Sequence, residues 1–344
     1  MKTLITFDYE LFSGSNPGSV ENSLIKPTER LRQIAKQYDV KFVFFVDILY
    51  LLKAKEIAVF SKKVDEDFKL IVGQLFALSA DGHDLELHIH PQWYYSSFDF
   101  DSNHWIIDMD HFKISDCPRE DVELMITEAV NYLTSIKQLC HHSNAKYGAI
   151  SYRAGGYSFP NEQWFYDLLK RLNIKIDSSV LLASKDDSKY QHFDYSMINT
   201  PNTYKFENNL KKEDKNGYFW EIPISGVKIM SLFYCMETFL LRLLHKKDLI
   251  VCGDGVGIKS SRIGRKYIYI NRFLMLFKGA VVHASIDGTS GFYLSYIYNW
   301  VKRQSGDVFV VIAHPKTQNE YGLKCLSTFL SKYSAEVRTT DSFM

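Results

Sequence analysis

The sequence has little proline and cysteine, no excess of either charge, and no long uninterrupted hydrophobic run. Its 8 prolines and 18 glycines among 344 residues do not cluster into a linker that would separate two domains. Five widely spaced cysteines without a C-x-x-C pair exclude a disulfide framework and a thiolate zinc site, which fits a reducing cytosol. With 41 Lys and Arg against 40 Asp and Glu, the net charge of +1 excludes a strongly basic nucleic-acid-binding protein.

The chain also lacks a segment that would direct it into a membrane. Acidic residues occur from position 8 onward, and the N-terminus has no apolar stretch of the roughly 7–15 residues that a signal peptide needs. The longest apolar runs, Phe42–Leu52 and Leu232–Leu244, are interrupted by charged residues and are shorter than the roughly 20 residues that span a bilayer. We therefore expect a cytoplasmic protein without a transmembrane segment.

What the sequence does contain is a succession of strand-like and helix-like segments. Thr3–Tyr9 and Leu85–His90 alternate apolar and polar residues as strands do, and helical periodicity follows in segments such as Pro27–Tyr38. Further strands are predicted at or near Lys41–Val46, Tyr147–Tyr152, Lys175–Ser179, Trp220–Pro223, Val281–Ser285 and Val308–Ala313. Further helices are predicted at Phe68–Ala80, Pro118–Leu139, Glu162–Leu172, Cys235–His245 and Phe292–Arg303. The alternation predicts an α/β protein with a parallel sheet.

Polar side chains stand at three predicted strand ends, where α/β proteins commonly build their sites. Asp8 and Glu10 are two residues apart, so on a strand they point the same way. His88 and His90 share one side of another strand, and two imidazoles plus a carboxylate suit a catalytic zinc ion. His314 follows the last apolar run directly. Each feature alone also fits a solvated face, a turn or a loop residue; their joint position favours a site.

Five segments, in order along the chain, resemble the motifs of the polysaccharide deacetylases, the NodB-homology carbohydrate esterases. Thr6–Glu10 resembles Thr-Phe-Asp-Asp-Gly, and Gly82–Pro91 resembles the motif whose histidine pair ends in His-Pro. Tyr152–Tyr157 resembles Arg-x-Pro-Tyr, Asp177–Ser179 looks like the fourth motif, and Ile312–His314 resembles Leu-x-His. The chain is most similar to the divergent branch found in surface-polysaccharide and O-antigen biosynthesis.

The resemblance implies a particular fold. Members of this family form a distorted (β/α) barrel, so we expect a barrel of seven parallel strands, built by a single catalytic domain over residues 1–344. Two segments that fit no regular element, Ser97–Asp116 and Ser184–Lys215, would form long loops that determine specificity.

The resemblance also implies a divalent metal ion, Zn²⁺, bound by Glu10, His88 and His90. This ligand set departs from the family pattern at two places. Tyr9 stands where the family has its metal-binding Asp, so the role passes to Glu10 on the same side of the strand as the first carboxylate. The family's histidines are four residues apart, but the residue four after His88 is Gln92, so His90 becomes the partner.

The remaining catalytic residues are carried over from the same motifs. The resemblance implies that Asp8 is the general base, that the backbone N–H of Tyr157 helps to bind the oxyanion, and that His314 donates a proton to the departing amine. Arg153 would keep the base ionised and oriented. Asp177 would hold either Arg153 or His314 in place, as carboxylates outside the ligand shell do.

The predicted function is therefore metal-dependent hydrolytic N-deacetylation of an N-acetylated sugar or glycan during synthesis of lipopolysaccharide or capsule. The sugar would be carried by a nucleotide or a lipid, and no nucleic-acid partner is expected. Two alternatives stay open: hydrolysis of another amide or a ureide at the same metal site, and a catalytically degenerate protein that binds glycan or acts as a scaffold. The basic and aromatic stretch Lys259–Lys278 would suit a diphosphate carrier or a peripheral contact with the membrane surface, although a solvated face explains it more simply.

Overall fold

The computed structural model describes residues 1–140, 151–258 and 279–343. Its main sheet has eight strands. In chain order these strands are β1 (Lys2–Tyr9), β2 (Val43–Asp47), β3 (Asp84–Ile89), β6 (Ser151–Ala154), β7 (Ile176–Asp177), β10 (Tyr204–Phe206), β11 (Phe219–Glu221) and β14 (Val308–Ala313). Three two-stranded sheets are formed by β4 (Ser97–Asp99) with β5 (His104–Ile106), β8 (Lys185–Asp187) with β9 (His192–Asp194), and β12 (Gly226–Ile229) with β13 (Ala280–His283).

Helices follow most strands of the main sheet. In the described part of the chain they are α1 (Lys26–Gln37), α2 (Ile48–Ala58), α3 (Lys62–Ala80), α4 (Gln92–Tyr95), α5 (Arg119–Cys140), α6 (Gln163–Arg171), α7 (Ser231–Leu244), α8 (Leu294–Arg303) and α9 (Glu320–Tyr333). No helix among the described residues is both long enough and apolar enough to cross a membrane.

The strands of the main sheet are arranged in the order β10-β11-β7-β6-β3-β2-β1-β14. Every adjacent pair is parallel except β10 and β11, which are antiparallel. The α/β prediction is confirmed at this level. The sheet differs from the expected seven parallel strands, because the short β10 adds an eighth, antiparallel strand at one edge and the whole sheet curls into a half-barrel.

Irregular segments connect the two sides of the curled sheet. The Ile224 N–H donates to the carbonyl of Val180, just beyond β7 (2.8 Å), and the Ser225 N–H donates to the carbonyl of Val310 in β14 (3.2 Å). The Ala284 N–H in turn donates to the Ser225 carbonyl (2.8 Å). In a regular barrel, a continuous strand would close the sheet at this place. Here individual backbone hydrogen bonds connect the two sides, which is consistent with a distorted barrel.

The apolar pattern explains why two of the parallel strands, β2 and β14, are buried on both faces. All five residues of β2 and all six of β14 are buried, as expected of parallel strands covered by helices. Helix α3 begins at Ser61, whose side chain accepts a hydrogen bond from the Val64 N–H (3.4 Å). Its buried side carries Ile71, Leu75 and Leu78, which are spaced at helical intervals and pack in the core.

Most predicted elements correspond to observed ones, and the exceptions have clear reasons. Helices α2, α4 and α9 were not predicted; for α2, the apolar run Phe42–Leu52, interrupted only by Asp47, contains both β2 and the start of the helix. The two predicted loops contain secondary structure, namely β4 and β5 in Ser97–Asp116 and β8 to β10 in Ser184–Lys215. The first part of the predicted strand Tyr147–Tyr152 and the stretch Lys259–Lys278 lie outside the described residues.

Candidate metal centre

The register of the sheet brings the predicted site residues to one face at the carboxyl ends of the strands. Asp8 pairs with Phe45, Asp47 pairs with His88, and His88 pairs with Arg153. Residues paired across parallel strands point to the same face, and so do residues two apart on one strand. Asp8, His88 and Arg153 therefore share the inner face of the curled sheet, together with the residues two positions beyond them.

Glu10, His88 and His90 form a buried group whose ligand atoms all lie within 4.8 Å of one another. Glu10 Oε2 lies 2.5 Å from His90 Nε2 and 3.7 Å from His88 Nε2. The two histidines come from the end of β3 and the carboxylate from the residue after β1, so neighbouring strands hold all three. The structure thus brings together the three residues that the sequence predicted as metal ligands.

The hydrogen bonding of this group fits a metal ion. His88 Nδ1 donates to the carbonyl of Arg153 (2.9 Å), which leaves the Nε2 atom of His88 with a free lone pair. That Nε2 atom is buried without a hydrogen-bond partner among the described residues, and the buried Glu10 Oε2 has a close contact with His90 Nε2 but no well-oriented hydrogen bond there. Buried polar atoms without partners are costly, and a divalent ion between two imidazoles and a carboxylate would satisfy both.

Lys316, which the sequence analysis missed, completes the surroundings of Glu10. Its ammonium lies 3.0 Å from Glu10 Oε1 and donates to the carbonyl of Leu11 (2.8 Å), and the residue is only 8% exposed. Burial alone would raise the pKa of Glu10, but the Lys316 ammonium and the two histidines hold that pKa well below its usual range. The carboxylate is therefore ionised, with one oxygen fixed and the other directed at the histidines.

Asp8 is held by Arg153, as the sequence predicted. One Asp8 oxygen lies 2.6 Å from Arg153 Nη1, which also donates to the Thr6 hydroxyl (3.0 Å). Arg153 Nε and Nη2 donate to the carbonyl and hydroxyl of Ser178, and the guanidinium lies 3.9 Å from the ring centre of Phe45. Burial would raise the pKa of Asp8, but Arg153 and the nearby histidines lower it overall. Asp8 is thus an oriented, ionised carboxylate.

His314 forms a charge-assisted pair with Asp287 on the opposite side of the site. Its Nδ1 lies 2.7 Å from Asp287 Oδ2, while its Nε2 lies 3.7 Å from Asp8 Oδ2 and 3.5 Å from Glu10 Oε1. Burial would lower the pKa of His314, but Asp287, followed by Asp8 and Glu10, raises it overall. This environment favours a protonated imidazole, which is the form that a general acid needs.

Asp8, Glu10 and His314 form a second group with close ligand atoms. Two observations make it the poorer candidate for a metal ion. His314 is surrounded by carboxylates that favour its protonated form, which has no lone pair to donate. One Asp8 oxygen is already paired with Arg153. The group formed by Glu10 and the two β3 histidines therefore fits a metal better.

A tight turn after β6 brings Tyr157 to the cavity. A Cβ atom at Gly155 would lie 2.5 Å from the Ile89 carbonyl oxygen and 2.9 Å from His90 Nδ1, so only glycine allows this close approach. Gly156 and Tyr157 both have positive φ angles, of 57° and 58°. Burial raises the pKa of the Tyr157 phenol well above its usual value, and Asp8 adds to this effect. Tyr157 lines the cavity, so its position is compatible with the predicted role near the oxyanion.

Asp177 does not hold Arg153 or His314, contrary to the sequence prediction. Its oxygens accept hydrogen bonds from the N–H and the hydroxyl of Ser179. The reason is the strand alternation, since Asp177 pairs with Tyr152 and faces the same side as that residue. The neighbouring Ser178 faces the inner side and takes the contact with Arg153, and Asp287 takes the contact with His314.

Asp47, at the end of β2, is a second residue that the sequence analysis missed. Both of its carboxylate oxygens are buried without a hydrogen-bond partner in the described part of the chain. Burial raises the pKa of Asp47 to about 7, with the nearby Glu10 adding to the effect and His90 opposing it. The sequence could have indicated this residue, because Asp47 is the single acid at the end of an otherwise apolar strand. Asp8 has a similar position near the end of β1.

The site opens into a cavity of about 260 Å³. Its floor is formed by Asp8, Glu10, His88, His90 and His314, and aromatic side chains line part of the wall. The aromatic residues around the cavity are Phe12, Phe112, Tyr157 and Tyr190. Polar groups at the base and aromatic rings at the side suit a small polar ligand with one apolar face.

No protein-family model matches the sequence, and the curated proteins contain no match to it. A protein from Mycobacterium smegmatis, described as a polysaccharide deacetylase, is similar in structure, with 12% identity and a TM-score of 0.47 over 98% of this chain and 86% of that chain. PuuE allantoinase has 11% identity and a TM-score of 0.47 over 98% and 86%. The GH57 branching enzyme from Thermococcus kodakaraensis has 11% identity and a TM-score of 0.45 over 99% and 70%. Similarity of this degree establishes neither a family nor an activity.

Proposed function

We propose that the protein is a metal-dependent hydrolase that removes the acetyl group from an N-acetylated sugar. The observation that carries this proposal is the pair of buried ligand atoms Glu10 Oε2 and His88 Nε2, which make no well-oriented hydrogen bond in the described part of the chain, beside an ionised Asp8 and a His314 that favours protonation. Hydrolysis of an amide needs a base for the water, a stabilised oxyanion and an acid for the amine. The residues of this site can supply all three.

Glu10, His88 and His90 would hold the metal ion, for which Zn²⁺ is the best fit to a His₂-carboxylate set. Such an ion would polarise the substrate carbonyl and lower the pKa of a bound water towards about 7. Lys316 keeps Glu10 ionised and fixes one of its oxygens. The carbonyl of Arg153 orients His88 by accepting its Nδ1 proton.

Asp8 accepts the proton of the attacking water, because Arg153 holds one of its oxygens and leaves the other free on the side of His314. His314 donates a proton to the departing amine and is held in orientation by Asp287. Tyr157, in the turn next to His90, lines the cavity, and its backbone N–H and phenol would be the donors that stabilise the oxyanion. Asp8 and His314 approach each other within 3.7 Å, so both could act on one substrate amide.

We further propose that the substrate is an intermediate of surface-glycan synthesis in the cytoplasm, carried on a nucleotide or a lipid. The near-zero net charge and the aromatic cavity wall support a neutral sugar as the bound group. A local cation such as Lys316 is already engaged with Glu10, so the carrier phosphate would be bound outside the cavity floor.

The test is acetate release from a panel of N-acetylated nucleotide sugars and lipid-linked glycans, with and without a chelator, and with allantoin as a ureide. We expect release of acetate from at least one sugar, loss of activity with the chelator, and recovery with Zn²⁺. Turnover of allantoin alone would favour the ureide hydrolase, and glycan binding without any turnover would favour a degenerate binding protein. Asp8→Asn should abolish release while metal content is retained.

The metal assignment needs its own measurement. The double variant His88→Ala/His90→Ala should lose stoichiometric zinc in metal analysis after gel filtration, whereas His104→Ala should retain it, because His104 is an exposed histidine on β5. Equal zinc content in both variants would show that the metal is bound elsewhere.

A further inference from the structure

Helix α7 directs its more apolar side away from the protein. Its exposed large apolar residues are Leu232, Phe233, Met236, Phe239, Leu240, Leu243 and Leu244. We call this set the apolar face of α7. The buried residues of the helix are Ser231, Glu237 and Leu241, two of which are polar. A helix that is apolar on most sides is normally buried in a core or in a membrane, yet Phe239 and Leu243 are each 67% exposed.

The exposed charges on and beside the helix up to position 247 are positive, and Asp248, which follows, is paired with Lys324 at 3.2 Å. Lys228, Arg242, Lys246 and Lys247 are exposed on or beside the helix. Glu237 is the only acidic residue between positions 228 and 247, and it is buried and accepts a hydrogen bond from a tyrosine hydroxyl at 2.6 Å. Apolar side chains bordered by lysine and arginine are the composition of helices that bind at the surface of anionic membranes.

The length of the helix decides how it would meet a bilayer. Fourteen residues at 1.5 Å per residue give a helix of about 21 Å, which is shorter than the roughly 30 Å hydrocarbon core. The helix therefore cannot span the bilayer, but it can lie in the plane of the interface with its apolar face inserted among the lipids.

The C-terminal end of α7 lies at the same end of the sheet as the candidate site. Helix α9 follows β14, so its first turn stands at the carboxyl end of the sheet, and the ring of His245 lies 4.8 Å from that of Tyr321 in this turn. After α7 the chain returns to the site, where the Gly253 N–H donates to the carbonyl of Lys316 (3.2 Å). The end of α7 at His245 is thus close to the carboxyl end of the sheet, where the candidate site lies.

We infer that the apolar face of α7 docks the protein on an anionic lipid bilayer. A second copy of the chain is the weaker occupant, because a symmetric interface would place the positively charged rim of one copy against that of the other. The inference is independent of the deacetylase proposal, since binding to a bilayer requires no turnover. It goes beyond the sequence prediction of a membrane contact, which rested on the stretch 259–278.

The test measures binding of the full chain to phosphatidylglycerol–phosphatidylcholine vesicles by flotation, with pure phosphatidylcholine vesicles for comparison. We expect binding to the anionic vesicles that falls with added salt. The variant Phe233→Ser/Phe239→Ser/Leu243→Ser should bind at least about a thousandfold more weakly, because it replaces three inserted apolar side chains that each contribute about tenfold or more to the affinity. Lys246→Ala/Lys247→Ala should lose about fivefold per lysine.

A matched control uses exposed aromatic residues on another surface. Phe60 and Phe100 are 75% and 51% exposed at the end of α2 and next to β4, so Phe60→Ser/Phe100→Ser should bind vesicles like the unchanged protein. Circular dichroism and thermal unfolding of all variants would check that they fold. Absence of vesicle binding, equal binding by the α7 variant, or a dimer in solution that the α7 substitutions dissociate would each overturn the inference.

Discussion

The pair formed by His314 and Asp287 makes a prediction that needs no knowledge of the substrate. Asp287→Asn removes the negative charge that lies 2.7 Å from His314 Nδ1 but keeps an amide oxygen that can accept the same proton. Asp287 accepts hydrogen bonds from both the imidazole and the backbone N–H of His314, one at each carboxylate oxygen. An asparagine has only one acceptor oxygen for these two donors. We expect a lower pKa for His314, because its largest stabilising partner is lost while burial continues to favour the neutral ring.

The size of the shift follows from the strength of the pair. A hydrogen bond to a charged group contributes about 1.5–3 kcal/mol, and one pKa unit corresponds to about 1.4 kcal/mol. The pKa of His314 should therefore fall by about one to two units. Asp8 and Glu10, at 3.7 and 3.5 Å from Nε2, remain in the variant and limit the shift. The raised pKa stabilises the fold most at pH below the unfolded value near 6.5, and this stability is lost as the pH rises through the folded pKa.

The assay is an NMR titration of histidine side chains in metal-free protein, with the His314 signal assigned by its absence in His314→Gln. Asp101→Asn is the matched control, since it removes one exposed negative charge from the turn after β4 and should leave the pKa of His314 unchanged. An unchanged or higher pKa in Asp287→Asn would show that Asp287 does not control the protonation of His314. The same variant should move the alkaline limb of acetate release to lower pH.

Three further predictions concern residues around the site and the sheet. Arg153→Met should lower the free energy of unfolding by about 3–5 kcal/mol in urea, because it leaves the buried Asp8 carboxylate without its cation; a smaller loss would mean that water or a neighbour replaces the guanidinium. Burial lowers the pKa of His83 to about 4, so stability should fall by about 3 kcal/mol as the pH drops from 6.5 to that value, and His83→Asn should flatten this part of the urea-unfolding profile. Gly155→Ala should weaken zinc binding about tenfold or more in calorimetry, because the new Cβ displaces His90, and an unchanged affinity would refute the contact.

The sequence predicts those strands and helices whose apolar residues recur at the regular spacing of a strand or a helix. The alternation in β1 and β3 and the helical spacing in α1 and α3 are local signals, and the structure confirms these elements. Helix α2 was missed because its apolar residues continue those of β2 without a break in periodicity. The antiparallel edge and the irregular closure through residues 224–225 depend on tertiary packing, for which a single sequence contains no periodic signal.

Site residues could be predicted where their position follows from the alternation of side chains along one strand. They could not be predicted where they join the site through contacts between distant segments of the chain. His88 and His90 were predicted as a pair because residues two apart on a strand share a face, and the resemblance implied Glu10, which is on the same side of its strand as Asp8. Lys316 was missed because it lies in a short turn after β14, and its charge resembles that of a surface lysine until Glu10 is placed beside it. Asp177 was misassigned because the motif fixes its position along the strand but not the side to which it points.

Each of the two carboxylates of the site is held by one buried cation. The sequence predicted the cation beside Asp8, Arg153, but not the cation beside Glu10, Lys316. Arg153 binds one oxygen of Asp8 and Lys316 binds one oxygen of Glu10, so each carboxylate is ionised and oriented by a buried cation. The second oxygen of each remains directed at histidines, Asp8 Oδ2 towards His314 and Glu10 Oε2 towards the pair on β3. A base that must accept a proton and a ligand that must donate a lone pair both require such a free, ionised oxygen. Because each cation occupies one oxygen and leaves the other free, the proposed proton-transfer position at Asp8 and the proposed metal position at Glu10 would not compete for the same atom.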